Sequence, residues 1–145
     1  MKRACNWLIA ATFLLGTATS FAAGPATDDS LYQALGGKAG ITAIVNGMLN
    51  NVADDMRIVH YFADANIVNT QHGLVTKLCA VAGGPCHYDG LNMVDVHRGL
   101  HITPAAFNAL VEDLQAAMTH LKIPLATQNR LLARLVPMRN QIVEH

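Results

Sequence analysis

Apolar residues recur three and four positions apart through most of this 145-residue chain, the spacing of helices that bury one face. The strict alternation of a half-buried strand is not found, and neither is an internal repeat. After a lead-in over residues 24–27, Asp28, Asp29 and Ser30 offer capping groups for a short helix through Leu31, Tyr32 and Leu35. Gly36-Gly37 stops it. A second helix is predicted over residues 38–53, with Ile41, Ile44, Val45, Met48, Leu49 and Val52 as its apolar side. Asp54-Asp55 breaks it, and residues 58–62 read as a tight turn or short helix.

The spacing predicts a third helix over residues 66–82, with Ile67, Gln71, Leu74, Leu78 and Val81 on one face, closed by Gly83-Gly84-Pro85. A loop through His87, Tyr88 and Gly90 then leads to a short helix carrying Met93 and His97. Thr103-Pro104 is a start signal, a capping hydroxyl followed by proline in the first turn. Phe107, Leu110, Val111, Leu114, Met118 and Leu121 form the apolar stripe that follows. Pro124 opens the last helix, whose inward residues are Leu131, Leu132, Leu135, Met138 and Ile142. Pro137 is expected to kink that helix or to sit where its backbone nitrogen needs no partner. The prediction is an all-α domain of unequal helices, better suited to crossing pairs around something than to a bundle with equal arms.

The start of the chain reads as an address. Lys2 and Arg3 precede an apolar stretch over residues 7–15, and small residues follow over 18–23. This is the pattern of a signal peptide over residues 1–23, cut after Ala22 or Ala23, with an uncleaved N-terminal anchor as the alternative. Residues 24–145 are then one exported domain, expected in a periplasm and without stable membrane association once the peptide is removed. Without Lys2 and Arg3 the ten basic residues become eight against ten acidic ones, a net charge of −2. No basic run or basic face interleaved with aromatics points to nucleic acid.

Cys5 leaves with the peptide, so Cys79 and Cys86 remain. In an oxidising compartment such a pair is expected to form a disulfide, the alternative being two unlinked buried thiols. Closing so short a loop constrains the unfolded chain by roughly 2.5 kcal/mol on the chain-entropy model.

Among residues that carry chemistry, His97 stands apart: it shares a helix face with Met93 four residues before it, among apolar neighbours. A neutral imidazole so placed suits haem iron, its second nitrogen donating to a carbonyl that fixes the ring. Alone, such a histidine is more often an ordinary core residue. Its surroundings carry more: Gly36-Gly37, Tyr61-Phe62, Gly83-Gly84-Pro85, Tyr88-x-Gly90-x-x-Met93-x-x-x-His97, then Ile102 and Phe107.

This ordered set resembles the group I truncated haemoglobins over residues 31–144. The resemblance implies a truncated globin fold, a two-over-two helical sandwich around haem b, with His97 as the proximal ligand of the iron. It also implies reversible binding of oxygen, nitric oxide and carbon monoxide. Phe62, Leu74, Leu78, Met93, Ile102, Phe107 and Leu110 are expected to supply an apolar slot, with Thr70 and Tyr88 also beside the cofactor. The distal side departs from the family. A tyrosine common on the second helix falls here on Met48 or Leu49, a glutamine on the third helix falls on Leu74, and its neighbour one turn earlier on Thr70. Loss of those donors puts long-lived oxygen storage in doubt. His72, near a position where some members carry an iron-ligating histidine, is a candidate distal ligand or an exposed polar residue.

Other motifs are weaker. His87 follows Cys86, but covalent haem attachment needs C-x-x-C-H and the first position here is Gly83. Zinc held by Cys79, Cys86, His87 and another histidine is chemically reasonable, although the cysteines do not form a tight knuckle. His60, His101, His120 and His145 carry no pattern beyond that of surface histidines. Asp54-Asp55 reads as a turn and Glu112-Asp113 as a solvated helix face. Turnover, such as nitric oxide dioxygenation or peroxide or nitrite reduction, would require an electron donor that the chain does not contain. The rival reading is a haem-free exported helical module, stapled by Cys79–Cys86, that binds a protein or zinc.

Overall fold

The computed structural model describes residues 28–143, and its regular structure is helical throughout that range. The expected signal peptide and lead-in lie outside the described residues, as do Glu144 and His145. No described helix is long and apolar enough to cross a membrane.

Helix α1 (Ser30–Ala34) is short, but Leu31 and the following Leu35 are fully buried. The Asp28 carboxylate accepts the Ser30 amide at 3.2 Å, so the acidic cap lies one residue earlier than the helix's own cap position. Gly36, at φ 85°, then turns the chain into α2 (Gly37–Asp54) through a conformation that side chains disfavour. Ile41, Ile44, Val45, Met48 and Val52 are buried on α2, as the spacing predicted, and Leu49 is half-buried. A 3₁₀ turn (Val59–Phe62) follows.

Asn66 caps α3 (Ile67–Val81) by accepting the Asn69 amide at 3.0 Å. Its buried residues are Val75, Leu78 and Cys79, with Ala82 just beyond, while Ile67 is 50% exposed and Gln71, Leu74 and Val81 are half-buried. The deep face is therefore rotated from the one predicted. Leu78 belongs to both, but Val75 and Cys79 join the main core whereas Leu74 flanks it and Ile67 lies outside it.

Asn92 caps α4 (Met93–His97), and Thr103 caps α5 (Pro104–His120) by accepting the Ala106 amide at 3.1 Å. On α5 the most buried side chains are Ala106, Ala109, Leu114, Ala117 and Met118, whereas Phe107, Leu110 and Val111 are half-buried and Leu121 is exposed. Three of these five are alanines because α2 crosses closely: a Cβ placed on Gly47 would meet the Cβ of Ala117 at 3.1 Å. Periodicity weighted by residue size misses such a contact. Helix α6 (Leu125–Leu135) gives way to a 3₁₀ turn (Val136–Met138) at Pro137, and α7 (Arg139–Ile142) packs against α4. Leu131 is fully buried; Leu132, Leu135, Met138 and Ile142 are half-buried. Gln128, also buried, donates to the Ile123 carbonyl at 2.9 Å and so closes the α5–α6 connection.

The pair α2–α3 thus lies against the pair α5–α6, with α1 filling the gap beside α6. The main core joins all five helices. A smaller apolar cluster of Val52, Ile58, Ala106 and Ala109 sits apart from it, flanked by Tyr61, Phe62, Ile102 and Leu110.

Candidate functional site

That second cluster does not fill its space. A cavity of about 270 Å³ opens beside it, walled by Ile58, Tyr61, Phe62 and Ala65, by Thr70 of α3, and by Val96 and His97 of α4. Leu100 and Ile102, then Ala106, Phe107 and Leu110 of α5, and Ile142 of α7 complete the lining. Six sequence-predicted site residues therefore converge on one space: Phe62, Thr70, His97, Ile102, Phe107 and Leu110.

Others lie elsewhere. Leu78 and Met48 are buried in the main core, with Leu74 packed beside them. Met93 is buried and contributes its carbonyl rather than its side chain to the site. Tyr88 donates its hydroxyl to the Leu91 carbonyl at 2.9 Å, and Lys77 stands over its ring. Leu49 lines a neighbouring cavity of about 290 Å³, and Phe62 is a wall of both. His72 is exposed and lines neither. Ala65, Ala106 and Ile142 were not foreseen: the first two are small, and Ile142 reaches the cavity only because the Pro137 break turns α7 onto α4. Val96 precedes His97 and Leu100 follows it by three positions, the one signal that pointed to them.

His97 is the half-buried last residue of α4. Its Nδ1 lies 2.8 Å from the Met93 carbonyl oxygen. A carbonyl only accepts, so in the neutral ring Nδ1 carries the hydrogen and Nε2 keeps its lone pair. The backbone that forms α4 thereby fixes both the tautomer and the ring angle.

Tyr61, Thr70 and His97 are the lining residues with polar side-chain atoms. The hydroxyls of Thr42 and Thr76 donate to carbonyls one turn back, at 2.8 and 2.9 Å. The Thr70 hydroxyl has no such bond within the described residues. It is a free donor beside an apolar space.

Cys79 and Cys86 are joined by a disulfide, with their Cα atoms 5.7 Å apart. Among the described residues no three His, Cys, Asp or Glu side chains converge as a metal site. His60, His87, His101 and His120 are exposed. The strongest charge cluster lies away from the cavity lining. Arg57 bridges Asp55 at 2.8 Å and Glu112 at 2.7 Å, and its hydrogen bonds hold the Asp55 carboxyl below the ordinary carboxylate range. Burial pushes the neighbouring Asp113 carboxyl up, and one of its oxygens has no partner.

A family model described as bacterial-like globin matches residues 30–144. The chain belongs to the bacterial-like globin family. A group 1 truncated haemoglobin of Tetrahymena thermophila is 32% identical over 94 residues, covering 65% of this chain and 78% of that protein. A group 1 truncated haemoglobin of Synechocystis sp. is 30% identical over 99 residues, 66% of this chain and 80% of that one. The crystal structure of truncated haemoglobin from Tetrahymena pyriformis in its Fe(III) form superposes with a TM-score of 0.77 at 27% identity. It covers 79% of this chain and 98% of its own. The two helix pairs of this globin are thus the two-over-two sandwich of truncated haemoglobins.

An iron porphyrin is a flat apolar macrocycle that needs one basic nitrogen on its axis. This globin supplies aromatic and aliphatic walls, with Phe62 and Phe107 among them, and an imidazole held through Nδ1 whose Nε2 has no partner among the described residues. Two adjoining cavities that share Phe62 give room beyond either one alone. The residues fit the group.

Proposed function

We propose that this globin holds haem b through His97 and binds small diatomic gases, oxygen, nitric oxide and carbon monoxide, at the haem iron. The observation that carries the reading is the Met93 carbonyl to His97 Nδ1 contact of 2.8 Å, on a histidine that lines an apolar cavity. When bound, the haem supplies an iron that takes up such gases reversibly. The protein's part is to orient the imidazole, to exclude bulk water with Phe62, Ile102, Phe107 and Leu110, and to present the Thr70 hydroxyl. With Met48 in the core and Leu74 beside it, neither offers a hydrogen bond to a bound gas. Weak polar stabilisation favours exchange or reaction of the gas over storage. Nitric oxide dioxygenation and related redox turnover then depend on an external electron donor.

The N-terminal pattern and the Cys79–Cys86 pair support an exported, periplasmic protein that begins at about residue 24. The mass of the protein recovered from a periplasmic extract tests this; an intact N-terminus in the cytoplasm overturns it.

The decisive experiment is the absorption spectrum of the purified protein with haem supplied, oxidised, reduced, and reduced under carbon monoxide. Stoichiometric uptake and a Soret band that moves with carbon monoxide support the reading. No stoichiometric uptake overturns it and leaves a disulfide-stapled helical module to pursue.

A further inference from the structure

The segment that leads into the His97 helix is held to the body of the protein at few points. His87, Asp89, Gly90, Leu91 and Asn92 are exposed, and the Tyr88 hydroxyl is used on Leu91 within the same segment. The Lys77 ammonium lies 4.4 Å over the Tyr88 ring, a contact near the surface that ties the loop weakly. The strong tie is covalent. Cys79 is fully buried near the end of α3, and the disulfide fastens to it Cys86, half-buried against the main core.

The bond also sits in a shaped seat. A Cβ on Gly84 would lie 2.8 Å from Cys79 Sγ and 2.4 Å from the Tyr32 ring, so the chain passes there only as glycine. The Gly84 amide donates to the Cys79 carbonyl at 2.8 Å, and the Tyr32 amide to the Ala82 carbonyl at 3.1 Å. Seven residues after Cys86, α4 begins with Met93, whose carbonyl sets the His97 ring.

We propose that the Cys79–Cys86 disulfide is a positioning brace for His97, and that a dithiol reductant which opens it weakens the protein's hold on haem. The step is a thiol–disulfide exchange: the S–S bond takes two electrons and two protons, leaving two cysteine thiols, and the reductant becomes a disulfide. Opened, residues 87–92 are tied upstream of His97 by the surface contact of Tyr88 with Lys77, the Tyr88–Leu91 hydrogen bond and the cap of Asn92. The proposal rests on the haem reading above.

The test uses haem-loaded full-length mature protein in the ferrous carbon monoxide form, so that a reductant leaves the iron in one state. Transfer of haem to excess apomyoglobin is timed for the oxidised protein, the dithiol-reduced protein and the Cys79→Ala/Cys86→Ala variant. The expected result is transfer about tenfold faster in the last two, the low end of what loss of outer support does to a metal site. The iron–histidine stretching band of the gas-free ferrous protein should shift in both. Leu131→Ala, a cut in the main core on α6 that leaves the disulfide intact, is the stability control and should leave that band in place. Unchanged transfer and an unchanged band without the disulfide overturn the proposal. Equal changes in Leu131→Ala at a matched melting temperature overturn it too. Failure of the oxidised wild type to take up haem sinks the haem reading itself, at a step before any reductant is added.

Discussion

The Met93 carbonyl oxygen and His97 Nδ1 lie 2.8 Å apart, one turn of α4 from each other. This pair turns a histidine into an oriented base: the backbone takes the one ring hydrogen, and Nε2 is left as a lone-pair donor. Replacing His97 by Ala is expected to abolish the carbon monoxide-sensitive Soret band, and added imidazole should restore part of it. A His97→Ala protein with an unchanged spectrum would remove the proximal assignment.

Thr70 is the test of the distal side. Thr70 lines the cavity and its hydroxyl has no hydrogen-bond partner among the described residues, and Thr70→Val keeps the shape while deleting the donor. Loss of one hydrogen bond, about 0.5–1.5 kcal/mol, predicts oxygen dissociation roughly 2- to 12-fold faster, with carbon monoxide release less affected. His72→Ala, at an exposed position, should change neither rate. The reverse pattern, with His72 dominant, would mean that α3 is turned differently in the loaded protein.

Gly40 reverses a familiar rule. In an open helix Gly→Ala gains about 1 kcal/mol. Here the added Cβ would lie 2.0 Å from the Leu35 carbonyl oxygen, which is backbone and cannot swing aside. Gly40→Ala is therefore expected to destabilise by about 2 kcal/mol, as overpacking does, measurable as a lower urea midpoint. A neutral or stabilised variant would show that α1 moves freely against α2.

Asp113 and Asp55 give opposite pH dependences. Burial, then the nearby Asp55 and Glu112 charges, raises the Asp113 carboxyl, so the folded state binds that proton more readily than the unfolded chain. Its contribution to stability is present at low pH and is lost as pH rises from the ordinary carboxylate range through the raised value. Asp113→Asn should therefore raise the melting temperature at pH 7, with the gain shrinking as pH falls toward 4. For Asp55, held low by Arg57, the stabilisation is present above the ordinary range and is lost as pH falls through the depressed value. A gain in Asp113→Asn that grows on acidification contradicts the assignment.

The sequence by itself determined the helical layout, because caps and breakers act within a few residues: Asn66 and Thr103 cap, Gly36 and Pro137 break, all through local backbone chemistry. It also determined His97, since the bond from its ring to Met93 spans a single helical turn. The tertiary structure alone decided which face of α3 went deepest and why alanines fill the centre of α5. The second depends on how closely α2 approaches α5, and Gly47 and Ala117, far apart in the sequence, set that distance. It alone carried Ile142 to the cavity and left His72 outside. Helical periodicity tells which residues share a face; which way that face turns is decided by the neighbour packed against it.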